Sequence, residues 1–406
     1  MAPPVLHAGT GTGTRAVGKE VTIASSVDHN LLETTACVSS RGLSYKGSAW
    51  LRQRLVLSAL SKRPVRIWGI REGAESPGIL EYEASLLRLL EKVTNGTRIE
   101  INSTGTHLSV CPGSLDGGVV EHTCPTGRSL GYWLEFLLCL APFCRRPLRA
   151  TLRGVTNGTD SPSADLIKAT VRPALAAFGL DEGFDIQVLA RGVLPKGGGE
   201  VTFTCPVRRS LRPVKLAEPG KVAKVRGTAF GVRVSPQMSN RVILAARGVL
   251  CSFLPDVYVT SDHRKGKAAG GSPGFGMALV AVTTEGYVLG AELTSDPVNP
   301  GTPEDLGKRC AHHLLDEISR GGCVDSATQG LTILLVAMGL RDVSKVLTGP
   351  LTDHSVALLR HLRDFFSLTF HLEEQKATED DMRCGDDKVI LTCVGVGFTN
   401  LSKPIR

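Results

Sequence analysis

The chain has 406 residues, too many for one ordinary hydrophobic core, and this length predicts either two bodies or a repeated unit carrying an insertion. Apolar residues make up 42% and charged residues 21%, which excludes the apolar-poor composition of a disordered chain. Lys and Arg outnumber Asp and Glu by 47 to 39, and the net charge of +8 favours polyanionic partners, nucleic acid foremost, without locating a contact.

The eleven cysteines show no Cys-x-x-Cys and no Cys/His quartet at zinc spacing. The nearest pair, Cys139 and Cys144, falls in an apolar helical stretch. These thiols are expected to be reduced core residues, and neither a metal nor a cofactor is expected. The Met-Ala-Pro-Pro start lacks a basic segment followed by an apolar one. The longest apolar stretch, 132–144, contains Glu135 and Pro142 and is too short to cross a bilayer, so no membrane partner is expected.

Residues 1–42 carry a Gly-Thr alternation from Gly9 to Thr14 and no sustained hydrophobic period, and are expected to form a flexible N-terminal extension. No apolar strand precedes those glycines and no helix bearing Lys-Ser/Thr follows, which argues against a nucleotide loop. Beyond residue 43 the periodicity predicts a helix over 51–60, a basic turn Lys62-Arg63-Pro64 and a strand over 65–70. A helix over 79–93 and strands over 98–102 and 107–111 complete this unit. The same order returns: helix 130–140, turn Arg145-Arg146-Pro147, strand 148–152, helix 163–178, and strands 184–189 and 200–205. A third copy is read as helix 326–338, strand 345–347, helix 352–366, and strands 368–372 and 389–394. It arrives roughly a hundred residues late, which predicts a separate module between the second and third copies.

That module is expected to be an inserted α/β domain over 212–296, with a helix over 240–250 and strands over 257–260, 277–283 and 287–293. Pro213, Pro219 and Gly220 on one side, and Pro297, Pro300 and Gly301 on the other, mark its boundaries. Residues 43–211 and 297–406 would form the large domain. The fold class is α/β (α+β).

The most distinctive string is Arg191-Gly192-Val193-Leu194-Pro195-Lys196-Gly197-Gly198-Gly199-Glu200-Val201, between two predicted strands. Gly197, Gly198 and Gly199 expose backbone N–H groups and tolerate positive φ, so with Arg191 and Lys196 they can form an anion-binding nest. They fit a wide hairpin connection with solvated cations equally well.

That string resembles the signature of the RNA 3′-terminal phosphate cyclase family. Further segments support the match in chain order: Leu51-Arg52-Gln53-Arg54-Leu55-Val56-Leu57-Ser58, Ser76-Pro77-Gly78-Ile79-Leu80, Thr104-Gly105-Thr106, Gly271-Ser272-Pro273-Gly274-Phe275-Gly276 and Gly321-Gly322-Cys323-Val324-Asp325. The resemblance implies three repeats of a two-helix, four-stranded unit forming a large domain, plus a smaller inserted α/β domain. It also implies positions at which cyclase chemistry can be tested, because the cyclases activate an RNA 3′-phosphate through a covalent nucleotidyl-histidine.

Two of those positions depart from the pattern. The glycine-rich Gly-Glu-Gly-Gly-Gly-Gln loop of the ATP site is replaced by Tyr45-Lys46-Gly47-Ser48-Ala49-Trp50-Leu51, with Trp50 expected to fill space. Where the family's His-x-Ala-Asp-Gln stretch opens on the nucleophile, this chain reads Asp325-Ser326-Ala327-Thr328-Gln329. A carboxylate can in principle act as a nucleophile, which keeps a cyclase with a displaced nucleophile as a third reading, but it cannot form the phosphoramidate on which that chemistry relies. Asp325 at a predicted helix start is better read as an N-cap, with Ser326-x-x-Gln329 as a capping box.

The departures imply a non-cyclase branch of the family with no catalytic residue. What that branch implies is a nucleolar ribosome-biogenesis factor of the small-subunit processome, needed for pre-rRNA processing toward 18S rRNA. Its partners would be a ribosome-assembly GTPase and the pre-rRNA, its location the nucleus and nucleolus. Arg52, Arg54, Arg191 and Lys196, with the three glycines, are the candidate RNA or anion contacts. The alternative is a pre-rRNA endonuclease using the retained cleft, although neither paired carboxylates nor a His dyad marks a site for it.

Three other groups were candidates. Ser261-Asp262-His263-Arg264-Lys265-Gly266-Lys267, a basic segment after a predicted strand, is a candidate to touch RNA phosphate or to supply His and Asp for acid–base cleavage, and is expected to be a solvated loop. His312-His313 lies on a predicted helix, where neighbouring residues point apart and do not share a metal. Asp380-Asp381 and Asp386-Asp387 read as a solvated acidic connection.

Overall fold

The computed structural model describes residues 42–376 and 387–400. All but the last residue of the expected N-terminal extension, and Asp380, Asp381 and Asp386 of the acidic connection, lie outside the described residues. Among the described residues there are eight α-helices: α1 (Leu51–Ser61), α2 (Glu81–Val93), α3 (Gly131–Leu140), α4 (Ala164–Ala177), α5 (Pro236–Leu250), α6 (Pro303–Arg320), α7 (Gln329–Met338) and α8 (Asp353–Phe366).

Three four-stranded sheets share one topology. In the first, Leu43–Lys46 runs parallel to Val65–Trp68, which pairs antiparallel with Leu108–Cys111 and through it with Arg98–Ile101. In the second, Gly118–Thr123, Leu148–Gly154, Gly199–Cys205 and Asp185–Ala190 repeat that order and those directions. In the third, Lys215–Leu216, Val343–Thr348, Lys388–Val394 and His371–Gln375 do so again. The sequence periodicity exposed the helices and later strands of each repeat but not the opening parallel strand. In the third repeat that strand is only two residues long, Lys215–Leu216.

Each repeat contributes one inner and one outer helix, and their compositions follow from their positions. The inner helices α3 and α7 are apolar on every side, which is the pattern of a helix with no solvent face. They pack into a single core with α1, around Trp133, Phe136, Leu55 and Leu57. The outer helices are amphipathic. In α2, Leu86, Leu87, Leu89, Leu90 and Val93 turn inward, while Glu81 and Glu83 occupy the first turn at the positive end of the helix dipole. The strands alternate with period two: Leu148, Ala150 and Leu152 face the core, and Arg149 and Arg153 face outward.

The inserted module has its own core, built on a sheet in the order Val257–Arg264, Val222–Val232, Gly274–Thr283, Val288–Thr294. Helices α5 and α6 both pack on it, so this core runs from Val225 to Ile318, beyond the expected end of the module at 296. Leu211, Val214 and Leu216, by contrast, are buried in the core of the three repeats. The module therefore interrupts the third repeat between its first strand and its inner helix α7, a surface connection where added length costs little.

Among the described residues eight cysteines are free, most of them buried, as expected of core thiols, but Cys111 is disulfide-bonded and corrects the expectation of uniformly reduced residues. No helix among the described residues is long and apolar enough to cross a membrane.

Candidate functional site: a junction and a cleft

The glycine-rich string lies where the second repeat meets the inserted module. Arg191 is 2% exposed, and both edges of its guanidinium are engaged. The two Nη atoms bind Asp165 on α4 at 2.5 and 3.0 Å, and Nε donates to Asp262 of the inserted module at 2.7 Å. Asn157 accepts a weaker bond at 3.3 Å, and the Phe230 ring lies beneath the cation at 5.1 Å. The guanidinium thus crosslinks two bodies and is closed to an RNA phosphate, which corrects its assignment as an RNA contact.

The glycines serve the same junction. Gly270 N–H donates to the Arg191 carbonyl at 2.6 Å, Gly271 N–H to the Gly197 carbonyl at 3.1 Å, and Arg191 N–H to the Ala268 carbonyl at 3.0 Å. A Cβ on Gly192 would collide with the backbone of Gly197 and Gly199, and one on Gly270 with the Gly197 carbonyl. Gly197 and Gly198 adopt φ of 62° and 81°, which an L side chain rarely accepts. Backbone-on-backbone approach, rather than an open anion nest, accounts for Gly197 and Gly199, which are buried. Only Lys196 of the two cations in the string is exposed, and among the described residues it forms no ion pair.

A second tie lies at the start of α4. The Ser163 hydroxyl accepts the Leu166 N–H, while Glu292 of the inserted module accepts the Ser163 N–H at 2.6 Å. Burial pushes the Glu292 carboxyl up to about 7, against the opposing effect of the Ser163 bonds.

Arg52 and Arg54 occupy neighbouring positions with different roles. Arg54 is buried, donates to the Gly47 carbonyl at 2.8 Å and stacks over Tyr45 at 4.4 Å, so it pins the Tyr45–Leu51 segment from behind. It is another correction, since it has no route to RNA. Arg52 pairs with Glu135 at 2.5 Å and donates to the Tyr132 carbonyl at 3.1 Å. Its guanidinium lies at the floor of a cleft of about 490 Å³.

This cleft combines aromatic rings with cations. Arg128 sits between Tyr82 and Tyr132, at 4.5 and 5.1 Å from their ring centres, and among the described residues forms no ion pair. Trp50 forms one wall, meeting the His354 ring edge-on at 5.7 Å and remaining 39% exposed, so it shapes the cleft rather than filling it. The chain has only five tyrosines and three tryptophans, and two of the former and one of the latter converge here. Sequence reasoning missed Tyr82 and Arg128. Their signal was slight: a tyrosine beside the glutamates of a helix start, and an arginine just before an apolar helix.

The acidic groups of the cleft are already occupied. Glu83 binds Arg71 through both oxygens at 2.8 and 2.6 Å, Glu135 is paired with Arg52, and Asp160 accepts the Ser129 N–H. Burial and nearby Arg52 lower His354 to about 4, so it is neutral at physiological pH. No group of three or more potential metal ligands occurs among the described residues. His312 and His313 are exposed on α6.

Asp325 lies outside the cleft lining and is fully buried. One oxygen accepts the Thr328 N–H at 2.8 Å and the Thr328 hydroxyl, the capping pattern anticipated from sequence, although the regular helix α7 begins only at Gln329. The anticipated capping box does not form: Ser326 bonds Glu317 instead, and Gln329 reaches Thr352. The second Asp325 oxygen has no partner, and burial raises the carboxyl to about 7. Ser261 to Arg264 continue the strand Val257–Arg264 rather than forming a loop, and Asp262 is held by Arg191 and Arg264.

A family model described as RNA 3′-terminal phosphate cyclase matches residues 43–372. The RNA 3′-terminal phosphate cyclase-like proteins of Mus musculus and Homo sapiens are each 54% identical over 371 residues, 90% of this chain and 99% of theirs. An rRNA processing protein of Schizosaccharomyces pombe is 40% identical over 366 residues, covering 89% of this chain and 98% of its own.

Two outcomes follow from the buried charges. Arg191→Met leaves Asp165 and Asp262 without their shared cation and is expected to lower stability by roughly 3 kcal/mol or more in urea denaturation. Arg191→Lys should recover only part of it, because an ammonium cannot present two edges to two carboxylates. Asp325, whose ordinary unfolded value is about 3.9, is raised to about 7 in the fold, so the folded state keeps a proton that the unfolded state releases between those values. Its contribution to stability therefore falls as pH rises through that window. Asp325→Asn keeps the oxygen that Thr328 uses, and its stability relative to the parent should increase between pH 5 and pH 8; parallel denaturation midpoints at the two pH values would refute this.

Proposed function

This chain belongs to the RNA 3′-terminal phosphate cyclase family, and from that premise we propose that it is an rRNA-processing factor that binds RNA without cyclising RNA ends. The observation that carries the reading is the contrast between two positions in one fold. The cleft retains guanidinium groups, with Arg128 stacked on the largely covered rings of Tyr82 and Tyr132 and Trp50 as its one exposed aromatic wall, a combination suited to phosphates and to an unstacked base. The position of the family's nucleophile is filled by Asp325, sealed from solvent and capping a helical turn.

The finer reading is a ribosome-biogenesis factor of the small-subunit processome, acting in the nucleolus on the path to 18S rRNA with a ribosome-assembly GTPase as partner. The Schizosaccharomyces pombe relative, named an rRNA processing protein, supports its rRNA side. The endonuclease alternative gains no support from the cleft, where Glu83 and Glu135 are paired with arginines and Asp160 is held by a backbone N–H. General acid–base cleavage needs a group free to exchange a proton at the reacting oxygen.

The test is incubation of the purified chain with α-labelled ATP and an RNA ending in a 3′-phosphate, beside a true cyclase. The expected result is no label on the protein and no cyclic ends, with RNA binding that weakens as salt rises. Label retained on the protein after denaturation would make it an enzyme and overturn the reading.

A further inference from the structure

The junction that buries Arg191 leaves several other cations at its mouth. Lys196 is exposed, its N–H donates to the Ser272 hydroxyl at 3.1 Å, and its aliphatic stem lies along Gly271. Arg233, also exposed, adopts φ of 52° and uses only Nε internally, donating to the Gly270 carbonyl at 2.5 Å. Lys265 and Lys267 are exposed on the short turn that leads into Ala268, whose carbonyl accepts the Arg191 N–H. Lys267 and Gly271 are four positions apart, a span of at most about 14 Å.

These surface charges are uncompensated. The interior network of Arg191, Arg264, Asp165 and Asp262 is neutral in itself, so Asp262 has no charge to spare for the lysines outside it. Among the described residues, none of Lys196, Arg233, Lys265 and Lys267 forms an ion pair. We propose that Lys196, Arg233, Lys265 and Lys267 form a strip that binds the sugar-phosphate backbone of single-stranded RNA and leads it toward the aromatic cleft. The strip deepens the RNA-binding reading above and rests on it.

Continuity with the cleft favours RNA over an acidic protein segment. Gly197 approaches the side chain of Thr126, and Thr126 lies two residues before Arg128 on the cleft wall. A polyanion crossing from the strip to that wall meets the tyrosine-backed guanidinium of Arg128 and the exposed ring of Trp50, on which a base stacks and an acidic peptide has nothing to place. Phosphate contacts of this kind position the strand and carry no sequence information.

The experiment compares two variants of the full chain with equal charge loss. One carries Lys196→Ala, Lys265→Ala and Lys267→Ala. The other carries Lys215→Ala, Lys221→Ala and Lys224→Ala, exposed lysines at or before the opposite end of the strand Val222–Val232 from Arg233. The probes are a fluorescent mixed-sequence single-stranded RNA and a poly-glutamate peptide. The strip variant should bind RNA about tenfold or more weakly at low salt, with the slope of log affinity against log salt reduced by about 2, at about 0.7 per lost phosphate contact. The control variant should match the parent, and all three chains should share a urea midpoint. Equal RNA affinity in the two variants, or loss of poly-glutamate binding with RNA binding unchanged, overturns the strip while leaving the RNA-binding reading intact. Absence of RNA binding by the parent chain removes that reading and the strip together.

Discussion

The buried guanidinium of Arg191 is the constraint on which the arrangement of the two bodies depends. A desolvated cation persists only where its charge and its donors are both answered. Here the answers come from different bodies, Asp165 in the outer helix of the second repeat and Asp262 in the inserted module. A planar fork can serve two carboxylates along two edges, which a lysine cannot, so the residue type follows from the geometry. Once that link is made, the Gly270 and Gly271 backbone lies directly on the glycine string, where any Cβ would force the strands apart.

The inserted module is therefore more than a length of chain accommodated in a loop. It enters after Lys215–Leu216 and leaves before α7, yet its firmest ties run to the second repeat, through Arg191 and through Glu292 at the start of α4. Three carboxyl groups, Asp165, Asp262 and Glu292, and the N-terminal end of a helix are brought together there, and the α4 dipole favours negative charge at that end. The close approach of Gly290 to Leu166 and Thr170 tightens this contact, in which water is excluded from the Arg191 guanidinium while Asp165 and Asp262 stay partly exposed. Exclusion of water is what makes the charges effective as a clamp, because the same ion pairs in solvent would contribute little.

The repeated architecture was legible in the sequence because it is written in periods: apolar residues at helical spacing in α2 and α4, strict alternation in Leu148–Gly154, and an order that recurs. The opening strand of the third repeat was not, since two residues carry no period. Helix α6 was left outside the module because a helix shows which face is apolar but not which core that face meets. The roles of Arg191 and Lys196 were illegible for a related reason. Both stand beside the same glycines, and nothing local to the string reveals that carboxylates at 165 and 262 fold back onto one and leave the other in solvent. The cleft was legible only through Arg52 and the altered loop at Trp50, because Tyr82, Arg128 and Tyr132 acquire meaning as a set only when two separate segments converge.

The proposed reading as a binder rather than a cyclase is coherent with where the fold keeps its unpaired groups. A nucleophile must be reachable, oriented and free to leave its resting hydrogen bonds. Asp325 meets none of these conditions: it is sealed in, one oxygen is committed to Thr328, and burial drives the other oxygen toward protonation at neutral pH. Binding makes opposite demands, asking for cations and aromatic faces that remain open to solvent before the ligand arrives. The half-buried Arg128 and the exposed Trp50 ring meet them in the cleft, and Lys196 meets them at the junction. Under the proposed reading, closing the reacting position while holding the contact surfaces open suits a fold that retains an RNA rather than one that changes its end.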